Sequence, residues 1–152
     1  MVRRVGVLFA TAVGGLVLAQ AAEPTTALSG PGVIRITATE NLFTRIDTGA
    51  RGPSPGDMEI TRYRLFNKRI RRKPIGHAQL VCTLTGQNFR QCSGTYILPA
   101  GKITVSGAFI FRGLYDLAVT GGTARYNNVK GMLTVTRTAR AADLLVFRLV
   151  VV

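Results

Sequence analysis

The sequence has few of the residues that most catalytic and metal centres use. It contains no tryptophan, one histidine and two cysteines in 152 residues. A structural zinc site needs four nitrogen or sulfur ligands, so this set is poor for a metal centre. No Ser, His and Asp spacing suggests a catalytic triad, and no Gly-rich loop precedes a helix. We therefore predict neither a metal nor a cofactor.

Acidic residues are scarce as well. Lys and Arg number 20 against seven Asp and Glu, which gives a formal net charge of +13. Such a chain is attracted to anionic surfaces in a salt-sensitive, sequence-independent way. The densest basic run, residues 68–73, contains no aromatic residue on which a base could stack, so no specific nucleic acid is predicted. The run is either a solvated turn or a docking patch for an anionic cell-envelope polymer.

A long apolar run, residues 5–18, opens the chain. Arg3 and Arg4 precede it, and Ala19-Gln20-Ala21 follows. This order predicts a signal peptide over residues 1–21, cleaved near Ala21, and therefore a secreted or periplasmic protein. An uncleaved membrane anchor and a first core strand are the alternatives, although the run is shorter than the roughly 20 residues of a membrane-spanning helix. Residues 22–32 are predicted to form a disordered tether, and residues 33–152 a single domain.

The two cysteines are predicted to form a disulfide. The segment from Cys82 to Cys92 is symmetric about Gln87, so a hairpin that turns at residues 86–88 places the cysteines opposite each other on paired strands. An exported protein meets an oxidising environment, where such a pair is oxidised. A redox-active pair would more typically have the spacing Cys-x-x-Cys.

Residues rich in Val, Ile, Thr, Tyr and Phe alternate with Gly, Asn, Pro and Lys clusters from residue 33 onward. This pattern predicts an all-β domain, and no helix-period segment of useful length interrupts it. Eight strands joined by short turns would leave exposed edges unless the sheet closed, which favours a single eight-stranded antiparallel up-and-down barrel. The predicted strands are residues 33–39, 58–66, 75–84, 89–98, 102–111, 115–120, 126–136 and 144–151.

The second half of the chain carries an ordered series of motifs. These are Ile75-Gly76-His77-Ala78-Gln79, Ala100-Gly101-Lys102-Ile103-Thr104-Val105-Ser106-Gly107, Val119-Thr120-Gly121-Gly122-Thr123-Ala124-Arg125-Tyr126 and Gly131, with Gly56-Asp57 upstream. Their order and spacing resemble the landmarks of the plant dirigent proteins and the allene oxide cyclases. The resemblance implies an eight-stranded barrel with a central cavity, often assembled as a homotrimer. It also implies that the cavity steers the coupling or cyclisation of a small apolar or aromatic intermediate without a cofactor.

The chain departs from the dirigent pattern at several positions. The small residue that follows Gly-Gly-Thr is Ala124, which removes the freest backbone position of that turn. Arg125 and Lys130 stand where the plant proteins commonly have an acid and an arginine. The paired acids of the early strand are replaced by the segment of residues 61–64, Thr-Arg-Tyr-Arg. The resemblance therefore implies the fold and a pocket, but not the plant catalytic set.

Two residues are candidate catalytic groups. His77 lies where plant dirigents tend to have an arginine, and the ordinary pKa of a histidine suits acid–base chemistry near neutrality. Asp57 follows a glycine at the start of a strand, where a turn-forming role is the alternative. A surface or structural role is the alternative for His77. The candidate ligand-binding residues are Gln79, which shares a strand face with His77, and the phenol-bearing Tyr63, Tyr96 and Tyr126.

The leading hypothesis is thus a secreted barrel that binds a small apolar ligand and acts, if it is an enzyme, as a cofactor-independent cyclase or isomerase. The alternative is a non-catalytic binding or carrier protein that acts through its basic surface on anionic envelope polymers. A third hypothesis is a purely structural envelope protein. An interior lined by aromatic residues with a few convergent polar groups would favour the first hypothesis.

Overall fold

The computed structural model describes residues 28–30, 32–67, 73–138 and 142–152. The predicted signal peptide, most of the predicted tether and most of the basic run, residues 68–72, lie outside these ranges. In the described part of the chain, no helix has the length and apolar character needed to cross a membrane.

The domain is a closed antiparallel barrel in which each strand pairs with its neighbours in sequence and β8 pairs with β1. The predicted fold class is therefore confirmed. Closure gives every strand a partner on both sides, which is the expected outcome for eight short strands with Gly- and Asn-rich turns. The strands are β1 Gly32–Ile46, β2 Met58–Asn67, β3 Gly76–Leu84, β4 Phe89–Leu98, β5 Gly101–Ile110, β6 Leu114–Gly122, β7 Val129–Thr138 and β8 Ala142–Val151.

Strand β1 extends seven residues beyond its predicted end at Thr39. The register with β2 shifts between Glu40 and Leu42, which marks a β-bulge. The bulge changes which side chains point inward along the rest of the strand, which continues to Ile46. The predicted start of β7 at Tyr126 is three residues early, because a 3₁₀ turn, Ala124–Tyr126, precedes the strand, which begins at Val129.

The two ends of the barrel differ. At one end, called the closed end, β2 finishes and β3 begins, and large side chains fill the interior. Tyr96 and Phe147 meet edge to face there, with ring centroids 5.1 Å apart. Leu28, before β1, packs against this core, and its backbone N–H donates to the carbonyl of Arg125. At the other end, called the mouth, β1 finishes and β2 begins, and the interior remains open.

The disulfide lies on the inner face of the barrel. Cys82 on β3 is the direct cross-strand partner of Cys92 on β4, and the two residues are bonded. Both are buried, so the predicted pairing is confirmed. Since side chains alternate along a strand, the inward direction of Cys82 also fixes Leu80 and Ala78 as interior residues.

Candidate functional site

A cavity of about 280 Å³ occupies the mouth of the barrel. Small-molecule sites commonly span about 300–1,000 Å³, so this cavity suits a small ligand. Every strand except β8 supplies part of its lining. Most of the lining side chains are polar or aromatic rather than aliphatic. The lining residues are Glu40, Phe43, Arg45, Glu59, Thr61, Tyr63, Leu80, Cys82, Arg90, Phe109, Phe111, Tyr115 and Arg137.

Aromatic rings form one wall of this cavity. Phe109 of β5 and Tyr115 of β6 stack face to face, with ring centroids 3.9 Å apart and planes inclined by 6°. Phe111, just after β5, carries two guanidinium groups near its ring, from Arg90 at 4.1 Å and Arg137 at 4.4 Å. These cation–π contacts hold the Phe111 ring at the rim, although it is partly exposed. The wall can therefore stack against a flat ligand.

A charged network adjoins this wall, because its Arg90 lies over the Phe111 ring. The Glu59 carboxylate accepts hydrogen bonds from Arg45 Nη2 at 2.6 Å and from Arg90 Nε at 2.6 Å. Burial raises the pKa of Glu59, but the hydrogen bonds and charges of Arg90 and Arg45 outweigh burial, so the net pKa is lowered. Glu59 is therefore ionised at neutral pH and fixes both arginines, Arg90 through a second bond from Nη2 at 3.1 Å.

A second polar cluster joins the end of β7 to the start of β8 at the mouth. Asp143 of β8 is buried and pairs across the strands with Arg137, with 3.7 Å between Oδ1 and Nε. Burial raises the pKa of Asp143 despite this arginine, and the negative charge of Glu40 adds to the rise. Asp143 borders a small interior space together with Tyr63 and Tyr115, which both line the cavity. It also lines a second space with Glu40, Arg137 and Thr138.

The phenols beside Asp143 are weak acids. Burial raises the pKa of Tyr63 to about 12, and the nearby charge of Asp143 adds to this effect. The pKa of Tyr115 is raised by burial as well. Both phenols therefore keep their protons at neutral pH and can donate hydrogen bonds to a ligand or to the Asp143 carboxylate.

The predicted site residues do not converge on one place. Tyr63 lines the cavity, and Tyr96 lies below it, fully buried, where burial holds its pKa well above the usual range. Tyr126 is at the closed end. His77 and Gln79 are exposed on the outer surface, where they line a groove with Arg62 and Arg64.

Asp57 is buried in the loop between β1 and β2 and does not line the cavity. Its carboxylate accepts hydrogen bonds from the backbone N–H groups of Thr48 and Ser54 at 3.0 and 2.9 Å. These bonds lower the pKa of Asp57. This geometry corresponds to the turn-forming alternative and gives the β1–β2 loop a fixed shape at the rim. The catalytic roles of His77 and Asp57 stay predictions.

Several residues of the site were not identified from the sequence. They are Phe109, Phe111, Tyr115, Glu59, Arg90, Arg137 and Asp143. The buried disulfide could have found one of them, because alternation from Cys92 places Arg90 on the inner face. Among the described residues, no group of three or more His, Cys, Asp or Glu side chains is arranged to hold a metal ion.

The Glu59 network makes a testable contribution to stability. We expect Glu59→Gln to lower the free energy of unfolding by about 2 kcal/mol at pH 7, because Arg90 loses its charge partner in a nearly buried position. The folded-state pKa of Glu59 is lowered, so its stabilisation exists above the ordinary carboxyl pKa and is lost as the pH falls through the folded-state value. Urea denaturation across pH 3–7 measures this difference.

The matched control for Glu59 is Asp116→Asn. Asp116 is exposed on β6 and makes no ion pair within the described ranges. We expect little change in stability for this control at any pH. A Glu59→Gln protein that is as stable as the wild type at pH 7 would contradict the assigned role of the network.

No protein-family model matches the sequence, and no curated protein sequence matches it either. Solved structures do match. Pyocyanin demethylase superposes with a TM-score of 0.70 at 27% sequence identity, over 78% of this chain and 99% of that chain. The pterocarpan synthase dirigent protein GePTS1 superposes with a TM-score of 0.64 at 12% identity, over 88% and 98% of the two chains.

A third similar structure is the Diels–Alderase AbmU from Streptomyces koyangensis. It superposes with a TM-score of 0.62 at 15% identity, over 76% of this chain and 63% of that chain. At such low identity, the similarities to GePTS1 and AbmU concern the fold alone. This chain therefore has the barrel fold that dirigent proteins and Diels–Alderase barrels share, as the motifs of its second half implied.

Proposed function

We propose that the mouth cavity binds a small planar aromatic molecule and that Tyr63 and Asp143 move a proton on the bound molecule. The observation that carries this proposal is the meeting, in one cavity, of a stacked aromatic wall with a cluster of buried proton-exchanging groups. A sealed interior filled only by its own side chains would have argued against a ligand. Here only the closed end is filled in that way.

The aromatic wall provides the surface on which the proposed planar ligand binds. Offset stacking of a ligand ring on an aromatic side chain contributes about 0.5–1.5 kcal/mol beyond the burial of its area. The guanidinium groups of Arg90 and Arg137 can donate hydrogen bonds to an oxygen atom or to an anionic substituent of the ligand. The similarity to pyocyanin demethylase supports a ligand of the aromatic class, since pyocyanin is the molecule in that protein's name.

The polar cluster of Asp143 and Tyr63 supplies the acid and base groups for the proposed proton transfer. Because its pKa is raised, the Asp143 carboxylate is a better proton acceptor than an exposed aspartate. Tyr63, whose pKa is about 12, lines the cavity and borders the same interior space as Asp143, so it can pass a proton to or from the ligand. Positioned acid–base groups of this kind accelerate reactions by about 10²–10⁴-fold. Cyclisation or isomerisation, which only moves protons and bonds within one molecule, fits this set.

The binding half of the proposal is tested by calorimetric titration with a panel of planar aromatic compounds that includes pyocyanin. We expect at least one compound to bind, and Phe109→Ala to weaken its binding about tenfold, because the stacked wall loses a ring. The matched control is Phe89→Ala, which removes an exposed rim phenylalanine outside the cavity lining. Equal losses for the two variants, or no binding by the wild type, would argue against the cavity as the binding site.

We also propose that the chain is a bacterial-type secreted member of the dirigent and allene oxide cyclase superfamily, exported after cleavage near Ala21. The disulfide between Cys82 and Cys92 supports export, because disulfides persist in oxidising compartments. Mass spectrometry of the protein from the culture medium gives both the mature N-terminus and the number of subunits. A homotrimer is the expected assembly.

A further inference from the structure

Charge is divided unevenly between the two ends of the barrel. The described acidic residues all lie in the mouth half: Glu40, Asp47, Asp57, Glu59, Asp116 and Asp143. The half towards the closed end, within the same described ranges, carries Lys and Arg without any acid. Its cations are Arg35, Arg64, Lys73, Lys102, Arg125, Lys130 and Arg148, and every one is exposed.

These cations make no ion pairs within the described ranges. The three salt bridges found there, Arg45–Glu59, Arg90–Glu59 and Arg137–Asp143, all lie in the mouth half. The polar contacts that involve closed-end cations are to neutral groups, such as Arg148 Nη1 to Thr134 Oγ1 at 3.0 Å. The positive charge of this half is therefore uncompensated by the fold and produces a field that attracts anions.

The cations surround the closed end rather than following one line. Arg35 is on β1 and Lys102 is on β5, four strands away in a closed eight-stranded barrel. Residues four strands apart lie on opposite sides of the barrel. Long Lys and Arg side chains on opposite sides of the barrel can all reach a flat anionic surface that lies under the closed end. A single linear polymer bound in one groove would contact only the cations on one side.

Exposed valines share the closed end with these cations. Val33 is 55% exposed, Val150 47% and Val152 78%. The described residues of this half include no exposed aromatic side chain on which a nucleic-acid base could stack. Apolar side chains next to a ring of Lys and Arg are typical of proteins that rest on the interface of an anionic membrane.

From this arrangement we propose that the closed end docks on an anionic phospholipid bilayer, with the valines at the level of the headgroups. The mouth then faces away from the bilayer, so the ligand cavity stays open to the aqueous compartment. This inference concerns the outer surface and does not depend on the function proposed for the cavity.

The experiment is co-sedimentation of the purified protein with vesicles of phosphatidylcholine alone or mixed with an equal part of phosphatidylglycerol. We expect binding to the anionic vesicles at low salt, and strong weakening at high salt. Each Lys or Arg near an anionic surface contributes about fivefold in partitioning. The double variant Arg35→Gln with Lys102→Gln should therefore bind about 25-fold more weakly. Arg51→Gln with Arg112→Gln removes the same charge from the mouth half and should bind nearly as the wild type does.

A second variant tests the lipid itself. Val150→Ser with Val152→Ser should bind anionic vesicles severalfold more weakly while binding soluble polyphosphate as the wild type does. Wild-type protein that binds both kinds of vesicle equally, or neither, would overturn the proposal. It would also be overturned if the mouth variant lost as much binding as the closed-end variant. A protein that binds polyphosphate but ignores the anionic vesicles has a polymer rather than a bilayer as its partner.

Discussion

Replacement of Gly131 by alanine is expected to lower the free energy of unfolding by about 3 kcal/mol or more, the largest effect of any single substitution proposed here for stability. Gly131 lies in β7 with a φ of +137°, a backbone conformation that residues with a side chain rarely adopt. An added Cβ would overlap with the carbonyl oxygen of Arg148 on β8, so the substitution would push two paired strands apart. Urea denaturation followed by circular dichroism measures the loss.

The matched control is Gly113→Ala in the turn between β5 and β6. A Cβ at Gly113 meets no atom within 4 Å, and this glycine is not among those with a positive φ. We expect its effect on stability to be small. If Gly131→Ala were as stable as Gly113→Ala, β7 and β8 would have to pair differently from the register described above, in which Gly131 faces Leu149.

The barrel was predictable from the sequence because the local pattern of strands and turns agrees with the need of the whole sheet to pair its edges. Turn residues such as Gly86-Gln87-Asn88 separate segments with strand-forming composition, and closure is the simplest way for eight such segments to satisfy their edges. The hairpin symmetry about Gln87 also predicted the register of Cys82 and Cys92. These features depend on residues close in sequence, where alternation and turn chemistry are reliable guides.

Strand β1 was less predictable for a physical reason. The bulge between Glu40 and Leu42 changes the alternation, so Glu40 and Phe43, three residues apart, both line the cavity. A period of two, continued from the inward Ile36 and Ala38, would have placed Phe43 on the outer face. Bulges depend on the partner strand and on barrel curvature, which a single sequence does not reveal.

The candidate site was predicted in part. Tyr63 was chosen for its phenol and does line the cavity, whereas His77 and Gln79 face outward. The disulfide could have excluded these two, because His77 shares a face with Val81 and is opposite Cys82, which a buried bridge turns inward. Asp143 and Arg137 meet only because β7 and β8 pair in one register, and that pairing could not be derived from the composition of either strand.

Asp143→Asn is expected to have the largest effect on turnover. For a compound that the wild-type protein both binds and converts, we expect the rate constant kcat to fall about 10²–10⁴-fold, because the proton acceptor behind Tyr63 is lost. The dissociation constant should change little, since Asp143 is not among the residues that line the cavity. Stopped-flow conversion and calorimetric binding, measured on the same protein, separate the two effects.

The pH profile and the stability of Asp143→Asn distinguish a proton-transfer role from a structural one. Burial raises the pKa of Asp143, so the wild-type rate should fall at acidic pH through a pKa above that of an exposed aspartate. The same raised pKa means that the ionised carboxylate destabilises the fold at neutral pH, and the Asn variant should therefore unfold no more easily than the wild type. Tyr63→Phe should also lose turnover, because the phenol that relays the proton is gone. If instead Asp143→Asn unfolds readily but retains the wild-type kcat in its folded fraction, the Asp143–Arg137 pair serves the barrel alone, and the proton on the ligand must be moved by another group.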